Sequence, residues 1–263
     1  MAGRPAVDVV VPFRGDAAHR PRMDGLELRE GDTLVVEDND VTPGYGRNRG
    51  AARGSAEWLV FLDADVEPAP DLLDRYFDPE PAADTALLAG AVEDRPGSSA
   101  AARYAHRRAL MSQENTLAWG QWAFAQTANA AVRRSALEEV GGFREDIRAA
   151  EDADLAYRLK AAGWGMERRV GARAVHVPRA SVRALLRQRM THGAGGAWLD
   201  RTYPGSVPSK RWPGFVWWMA RFAATGLLRA ARDRDRDGAL VAILEPLDTL
   251  AYELGRSRSN ERS

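Results

Sequence analysis

The 263 residues carry 37 acidic and 37 basic side chains, so no overall field favours nucleic acid or an anionic surface as a partner. There is no cysteine, which excludes disulfides, thiolate metal sites and a cysteine nucleophile. The length allows one large domain or two small ones with a proper core.

The first residues, MAGRP, have no apolar stretch behind their charge, and no apolar run reaches the roughly 20 residues of a spanning helix. A cytoplasmic protein is expected, at most attached to a membrane face. Residues 7–11 (VDVVV) are β-branched and predict the first strand of a parallel sheet, stopped by Pro12. Residues 13–31 are polar and broken by Pro21 and Gly25, leaving room for one short helix at most. A second short strand, 33–36, runs into Glu37, Asp38, Asn39 and Asp40. Residues 41–46 (VTPGYG) read as a loop and 47–55 as a small-residue helix. The apolar run 58–62 (WLVFL) predicts a strand buried on both faces, ending in Asp63 and Asp65. Strand, helix and strand at this spacing make a βαβ unit with a right-handed crossover.

Residues 70–77 predict a helix with Pro at its start, 86–92 a strand, 100–117 a helix and 127–132 (TANAAV) a further strand. Ser135 is expected to cap a short helix that Gly141 and Gly142 end. After Glu151 and Asp152, Leu155, Leu159 and Ala162 recur at helical spacing, and Gly163 closes the helix. Both carboxylates therefore stand at a helix N-terminus, which favours negative charge. A last strand, 173–177, contains His176, and a basic helix, 181–190, ends at His192 and a flexible GAGG.

The final segment changes character. Phe215, Trp218, Met219 and Phe222 form an apolar face, with Arg221, Thr225, Arg229 and Arg232 on a polar one. Leu240, Ile243, Leu244, Leu247, Leu250 and Leu254 recur beyond it, interrupted by Pro246, which should kink that helix. Two readings stand: helices packed on the body, or interfacial helices whose Trp and Arg side chains meet a membrane surface. The expected division is a body over 1–195 and a helical extension over 196–263.

The chemistry centres on three groups. Asp63 and Asp65, at i and i+2 on an extended backbone, point the same way at a strand's carboxyl end, where open α/β sheets place ligands. They can share a divalent cation and its phosphates, or simply form an Asp-rich turn. Asp152 suits a capping role or that of a general base. Glu145 and Asp146 form a rival acidic pair, but no helical pattern follows them. His176 fits a packed strand histidine or a metal ligand.

In chain order, VVVPF, VVEDND, GRNRGAARGSAEWLVFLDADVEPAPDLL, TANAAVRRSALEEVGGF, EDADLAYRLKAAGW and AVHVPR resemble glycosyltransferase family 2 over residues 7–195. The resemblance implies an α/β, GT-A-type nucleotide-diphospho-sugar transferase fold, a mostly parallel central sheet flanked by helices. It also implies a nucleotide-diphosphate sugar donor (usually a UDP-sugar), a small or lipid-linked hydroxyl acceptor, Mn²⁺ or Mg²⁺, and inversion at the anomeric carbon. Pro12 and Phe13 match the segment beside the nucleotide, and Asp38 the acidic residue that recognises the base. Arg47 and Asn48 match the pair opening the next helix, which the resemblance places with the residues binding the nucleotide-sugar donor. Asp63 and Asp65 match the DxD motif, with Asp65 the metal ligand and Asp63 nearer the ribose and metal waters. Asn129 matches a residue facing the donor sugar, Asp152 the general base and Glu151 its acceptor-binding neighbour. His176 stands where some relatives add a metal ligand, and His192 could meet the diphosphate.

Two features depart from that pattern: the first βα connection is short, and Glu37 beside Asp38 leaves the base-contacting residue open between them. The QxxRW motif of processive enzymes is missing, which argues against long-polymer synthesis. A sugar-nucleotidyltransferase would want a Gly-rich basic loop after the first strand, of which Arg14-Gly15-Asp16 is a thin version. A catalytically weak sugar-nucleotide-binding module is the third alternative, opposed by the joint presence of Asp63, Asp65 and Asp152.

Overall fold

A computed structural model describes residues 3–15, 21–38, 41–210 and 212–262. Asp16 of the thin phosphate-loop pattern, part of the stretch allotted to one short helix, and Asn39 and Asp40 lie outside the described residues. The chain divides into two compact units, described separately below. Elements are numbered along the whole chain.

The first unit comprises Met1–Glu93, Met111–Ile147 and Glu151–Val177. Its strands are β1 (Val7–Phe13), β2 (Thr33–Asp38), β3 (Trp58–Leu62), β4 (Val66–Pro68), β5 (Thr85–Asp94), β6 (Asn129–Arg133) and β7 (Gly165–His176). They form one sheet in the order β2-β1-β3-β6-β5-β7-β4. β2, β1 and β3 pair in parallel, whereas β6 runs antiparallel to β3 and β5, and β4 to β7. β3 and β5, both antiparallel to β6, therefore share the direction of β1 and β2. The chain enters β6 at the end where β3 leaves, with Asn129 opposite Leu62, so the two strands must oppose each other.

Period-2 alternation distributes the strands' side chains over two cores. Val7, Val9 and Val11 of β1 and Trp58, Val60 and Leu62 of β3 face one side, with Leu72, Leu73 and Tyr76 of α2 (Leu72–Tyr76). Val10, Leu59 and Phe61 face the other. There they meet α5 (Arg134–Glu139) and α6 (Glu151–Ala161) through Leu137, Leu155 and Leu159. β3 is buried on both faces, as its continuous apolar run predicts.

Several boundaries differ from expectation for local reasons. Pro12 does not stop β1, because the pairing with β3 ends at Val10 and no N–H is needed there on that side. The helix α1 (Pro43–Ala51) starts inside the predicted loop: Thr42 caps it and Pro43 opens it. The predicted helix 100–117 splits into α3 (Ala100–Arg108) and α4 (Gln113–Leu117), with Ala109 left-handed at φ 46° between them. Ser135 does not cap α5, which Arg133 precedes without a side-chain cap.

The second unit comprises Asp94–Leu110, Arg148–Ala150 and Pro178–Ser263. It contains α3, α7 (Val182–Thr202), α8 (Trp212–Asp233) and α9 (Arg236–Gly255). The GAGG stretch is helical and buried within α7, so the expected break near residue 195 falls inside one unbroken helix. Its glycines permit close packing. A Cβ at Gly193 would stand 2.0 Å from the Tyr252 carbonyl oxygen, and one at Gly255 2.1 Å from that of Met190. Pro246 lies within α9 without ending it. Among the described residues no helix is long and apolar enough to cross a membrane.

Candidate active site

The carboxyl ends of β1, β2 and β3 lie along one edge of the sheet. Phe13 stands opposite Asp38 in the parallel register, and Asp63 follows β3 directly. Of the two acidic residues ending β2, Glu37 is buried and paired with Arg49 and Arg53 of the α1 region, whereas Asp38 is exposed. Asp38 is the one presented to solvent at this edge.

The centre of the site is Arg47, only 3% exposed although it is an arginine. Its Nη1 donates to Glu151 Oε1 at 2.6 Å and its Nη2 to Asp63 Oδ1 at 2.7 Å. The guanidinium also lies 5.5 Å from the Phe143 ring centroid. It thus joins the end of β3 to the start of α6. Burial raises the Asp63 carboxyl above its ordinary range, against the opposing pull of Arg47.

Asp65 lies one turn further on. Its Oδ2 is 3.7 Å from Nε2 of His176, and its carbonyl accepts from the Val177 N–H. The antiparallel pairing of β4 with β7 sets this approach, because Val66 stands opposite His176. One carboxylate and one imidazole at this separation fit a divalent cation that both could bind. Asp63, by contrast, is turned towards Arg47. Among the described residues, no three His, Asp or Glu side chains gather closely enough to hold a metal by themselves.

Asp152 is half-buried on the first turn of α6, its Oδ1 accepting from the Ala153 N–H. Burial, then the neighbouring Glu151 charge, pushes its pKa up to about 7. A carboxylate poised there can take a proton near neutral pH. The rival Glu145 is held by Asn48 Nδ2 at 2.7 Å and begins no helix.

Two expected ligand residues are used differently. Asn48 Nδ2 donates to the Phe143 carbonyl and its Oδ1 accepts from the Phe143 N–H, so its amide fastens α1 to the 143–145 segment. Asn129 is fully buried: its Nδ2 donates to the Ala91 and Ala172 carbonyls, and its Oδ1 accepts from the Tyr76 hydroxyl at 2.6 Å. Its polar atoms are thus satisfied within the core. His192 belongs to the second unit, where burial, then the charges of Arg189 and Arg179, lowers its pKa to about 3 and keeps it neutral. Sequence reasoning assigned Arg47 to the nucleotide and missed its role between two carboxylates. The signal was there: an arginine one turn into a Thr-Pro-capped helix, with no acidic neighbour inside that helix.

Residues 58–235 match the family model described as Glycosyl transferase family group 2, and the chain belongs to that family. Two curated relatives are each named pre-mycofactocin glycosyltransferase, from Mycobacterium tuberculosis strains CDC 1551 / Oshkosh and ATCC 25618 / H37Rv. Each is 27% identical over 258 residues, covering 86% of this chain and 54% of its own. The chain therefore spans about half the length of the curated relatives it matches. Its fold is similar to that of the mannosyltransferase PcManGT from Pyrobaculum calidifontis, solved in complex with GDP-Man and Mn²⁺. The TM-score is 0.59 and the identity 19%, covering 97% of this chain and 87% of that one.

Proposed function

We propose that the protein is a metal-dependent, inverting glycosyltransferase that moves a sugar from a nucleotide-diphosphate donor, a UDP-sugar on the family's pattern, to an acceptor hydroxyl. The observation that carries this reading is the convergence of five side chains at one end of the sheet. Asp65 beside His176, Asp63 clamped by Arg47, and Asp152 with its pKa near neutrality all stand there. A Mn²⁺ or Mg²⁺ held by Asp65 and His176 would neutralise charge growing on the departing diphosphate. Asp38, Pro12 and Phe13 line the strand ends on the side proposed for the nucleotide.

Asp152 takes the proton of the acceptor hydroxyl. The acceptor oxygen then bonds to the anomeric carbon from the face opposite the diphosphate, and the carbon–phosphate-oxygen bond breaks with its electron pair leaving on the diphosphate. One base suffices for a single displacement, and no covalent nucleophile is required. Glu151, tied to Arg47, shapes the acceptor side. Hydrolysis of UDP-glucose, UDP-GlcNAc and GDP-mannose, each followed with Mn²⁺, with Mg²⁺ and with EDTA, tests this reading. Slow hydrolysis of at least one donor that stops with EDTA is expected; equal rates with and without metal would overturn it.

We also propose that α8 rests on a lipid surface. It exposes Trp212, Val216, Trp217, Leu227 and Leu228, and its charged residues are Arg221, Arg229 and Arg232 until Asp233 ends it. Apolar and cationic side chains on one helix suit an anionic interface. Flotation with vesicles containing phosphatidylglycerol should carry the protein upward, and Trp217→Glu with Leu228→Glu should abolish that; a wild type that never floats would refute it.

A further inference from the structure

Glu151 and Asp152 are preceded by a bend, Arg148–Ala150, that belongs to the second unit and is held within it from two sides. Ala150 has φ 74°, a left-handed conformation uncommon for a residue with a Cβ, and α6 starts at the very next residue. Such a conformation persists only when its surroundings hold it. Here the surroundings are Asn260, after α9, and Gly195, within α7. The Asn260 carbonyl accepts from the Arg148 N–H at 2.9 Å, and its side-chain Nδ2 donates to the Ala149 carbonyl at 2.9 Å. Asn260 is 1% exposed, though it sits in the polar stretch ELGRSRSNERS. On the other side, a Cβ at Gly195 would stand 3.1 Å from the Ala149 Cβ, the Ala149 oxygen and the Ala150 Cβ.

We infer that Asn260 is a positioning residue for Asp152. It acts through the backbone of residues 148–150, fixing where α6 begins and therefore where the base points. The effect is reach and angle, not donor binding. Displacing a base by about 1 Å can cost on the order of 100-fold in rate. Asn260 itself lies outside the matched family segment, residues 58–235. It rests on the reading of Asp152 as the base.

The test uses Asn260→Asp, isosteric but unable to donate to the Ala149 carbonyl, and Gly195→Ala. The second variant improves helix propensity while its methyl pushes the bend by a few tenths of an ångström. Both are assayed in the full chain for kcat and KM of Mn²⁺-dependent hydrolysis, with whichever of UDP-glucose, UDP-GlcNAc or GDP-mannose is turned over. Both should lower kcat at least tenfold while donor KM stays within about twofold, and Asn260→Gln, which keeps an amide donor, should recover part of the loss. Wild-type kcat in Asn260→Asp and Gly195→Ala would overturn the inference, as would a kcat loss matched by an equal loss of donor binding. Asp152→Asn is measured alongside. Full turnover there refutes Asp152 as the base, whereas an inactive Asp152→Asn with fully active Asn260 and Gly195 variants refutes the positioning role alone.

Discussion

Arg47 and Asp63 form a 2.7 Å ion pair in which the arginine is 3% exposed and the aspartate 31%. A buried guanidinium is tolerable only with its charge matched, and here two carboxylates match it, Asp63 and Glu151. The first residue of the DxD pair is thereby held to α1, while the second, Asp65, is turned to His176. Two aspartates one residue apart do different work because one of them has an arginine.

Arg47→Met should therefore be strongly destabilising, by about 3–5 kcal/mol, because it strands two carboxylates beside each other. Arg47→Lys should recover little, since an ammonium cannot reach both with a planar fork. Chemical denaturation of the three proteins at pH 7.5 measures this; a wild-type midpoint for Arg47→Met would contradict the clamp.

The pH dependence follows from Asp152. A base acts only when ionised, so kcat/KM should fall as pH drops through about 7. The stability effect has the opposite sense. The folded-state pKa is raised above that of the unfolded chain, so ionised Asp152 opposes folding above about pH 7 and that penalty fades on acidification. Asp152→Asn should thus lose turnover and yet be more stable at pH 8, by roughly 1–2 kcal/mol once its partial exposure is discounted. Thermal melts at pH 5.5 and pH 8 check the sign; the gain should be larger at pH 8.

The two asparagines expected at the donor separate structure from function in a direct way. Asn129→Ala leaves the Tyr76 hydroxyl and two buried carbonyls unpaired, at a cost of about 1–3 kcal/mol for each stranded group. Its donor KM, measured below the variant's melting point, should stay at the wild-type value. A large rise in KM with unchanged stability would return Asn129 to the donor site.

Much of this was legible along the chain, and the misses share a cause. Continuous apolar strands, the Asp63-Ala64-Asp65 turn and the Glu151-Asp152 helix start are local patterns, and each was found where the residues indicated. Arg47, Asn48 and Asn129 lie in equally clear motifs, yet their partners stand far off in sequence, so their roles could not be read locally. Asn129 is decided by Tyr76, Ala91 and Ala172, and Asn48 by Phe143 and Glu145. The GAGG stretch failed in the reverse direction. Glycine propensity suggests a break, but tight contact with Tyr252 requires those residues to lack a side chain within a helix.

That packing gives a further expectation. Gly193→Ala and Gly255→Ala would each push a methyl into a backbone carbonyl about 2 Å away, so each should destabilise by about 1–3 kcal/mol or more. Gly214→Ala, in the same unit, meets nothing within 4 Å and should be neutral or slightly stabilising within α8. Melting temperatures of the three variants give the comparison; equal values would contradict the close α7–α9 contact.

The central claim is a nucleotide diphosphate held through a cation on Asp65 and His176. Calorimetric titration of UDP and of GDP into the wild type and Asp65→Ala, with and without Mn²⁺, tests it most directly. At least one nucleotide should bind the wild type tenfold or more tightly with Mn²⁺, and that gain should vanish in Asp65→Ala. Affinities that ignore the metal in the wild type, or a metal effect that survives in Asp65→Ala, would contradict the account.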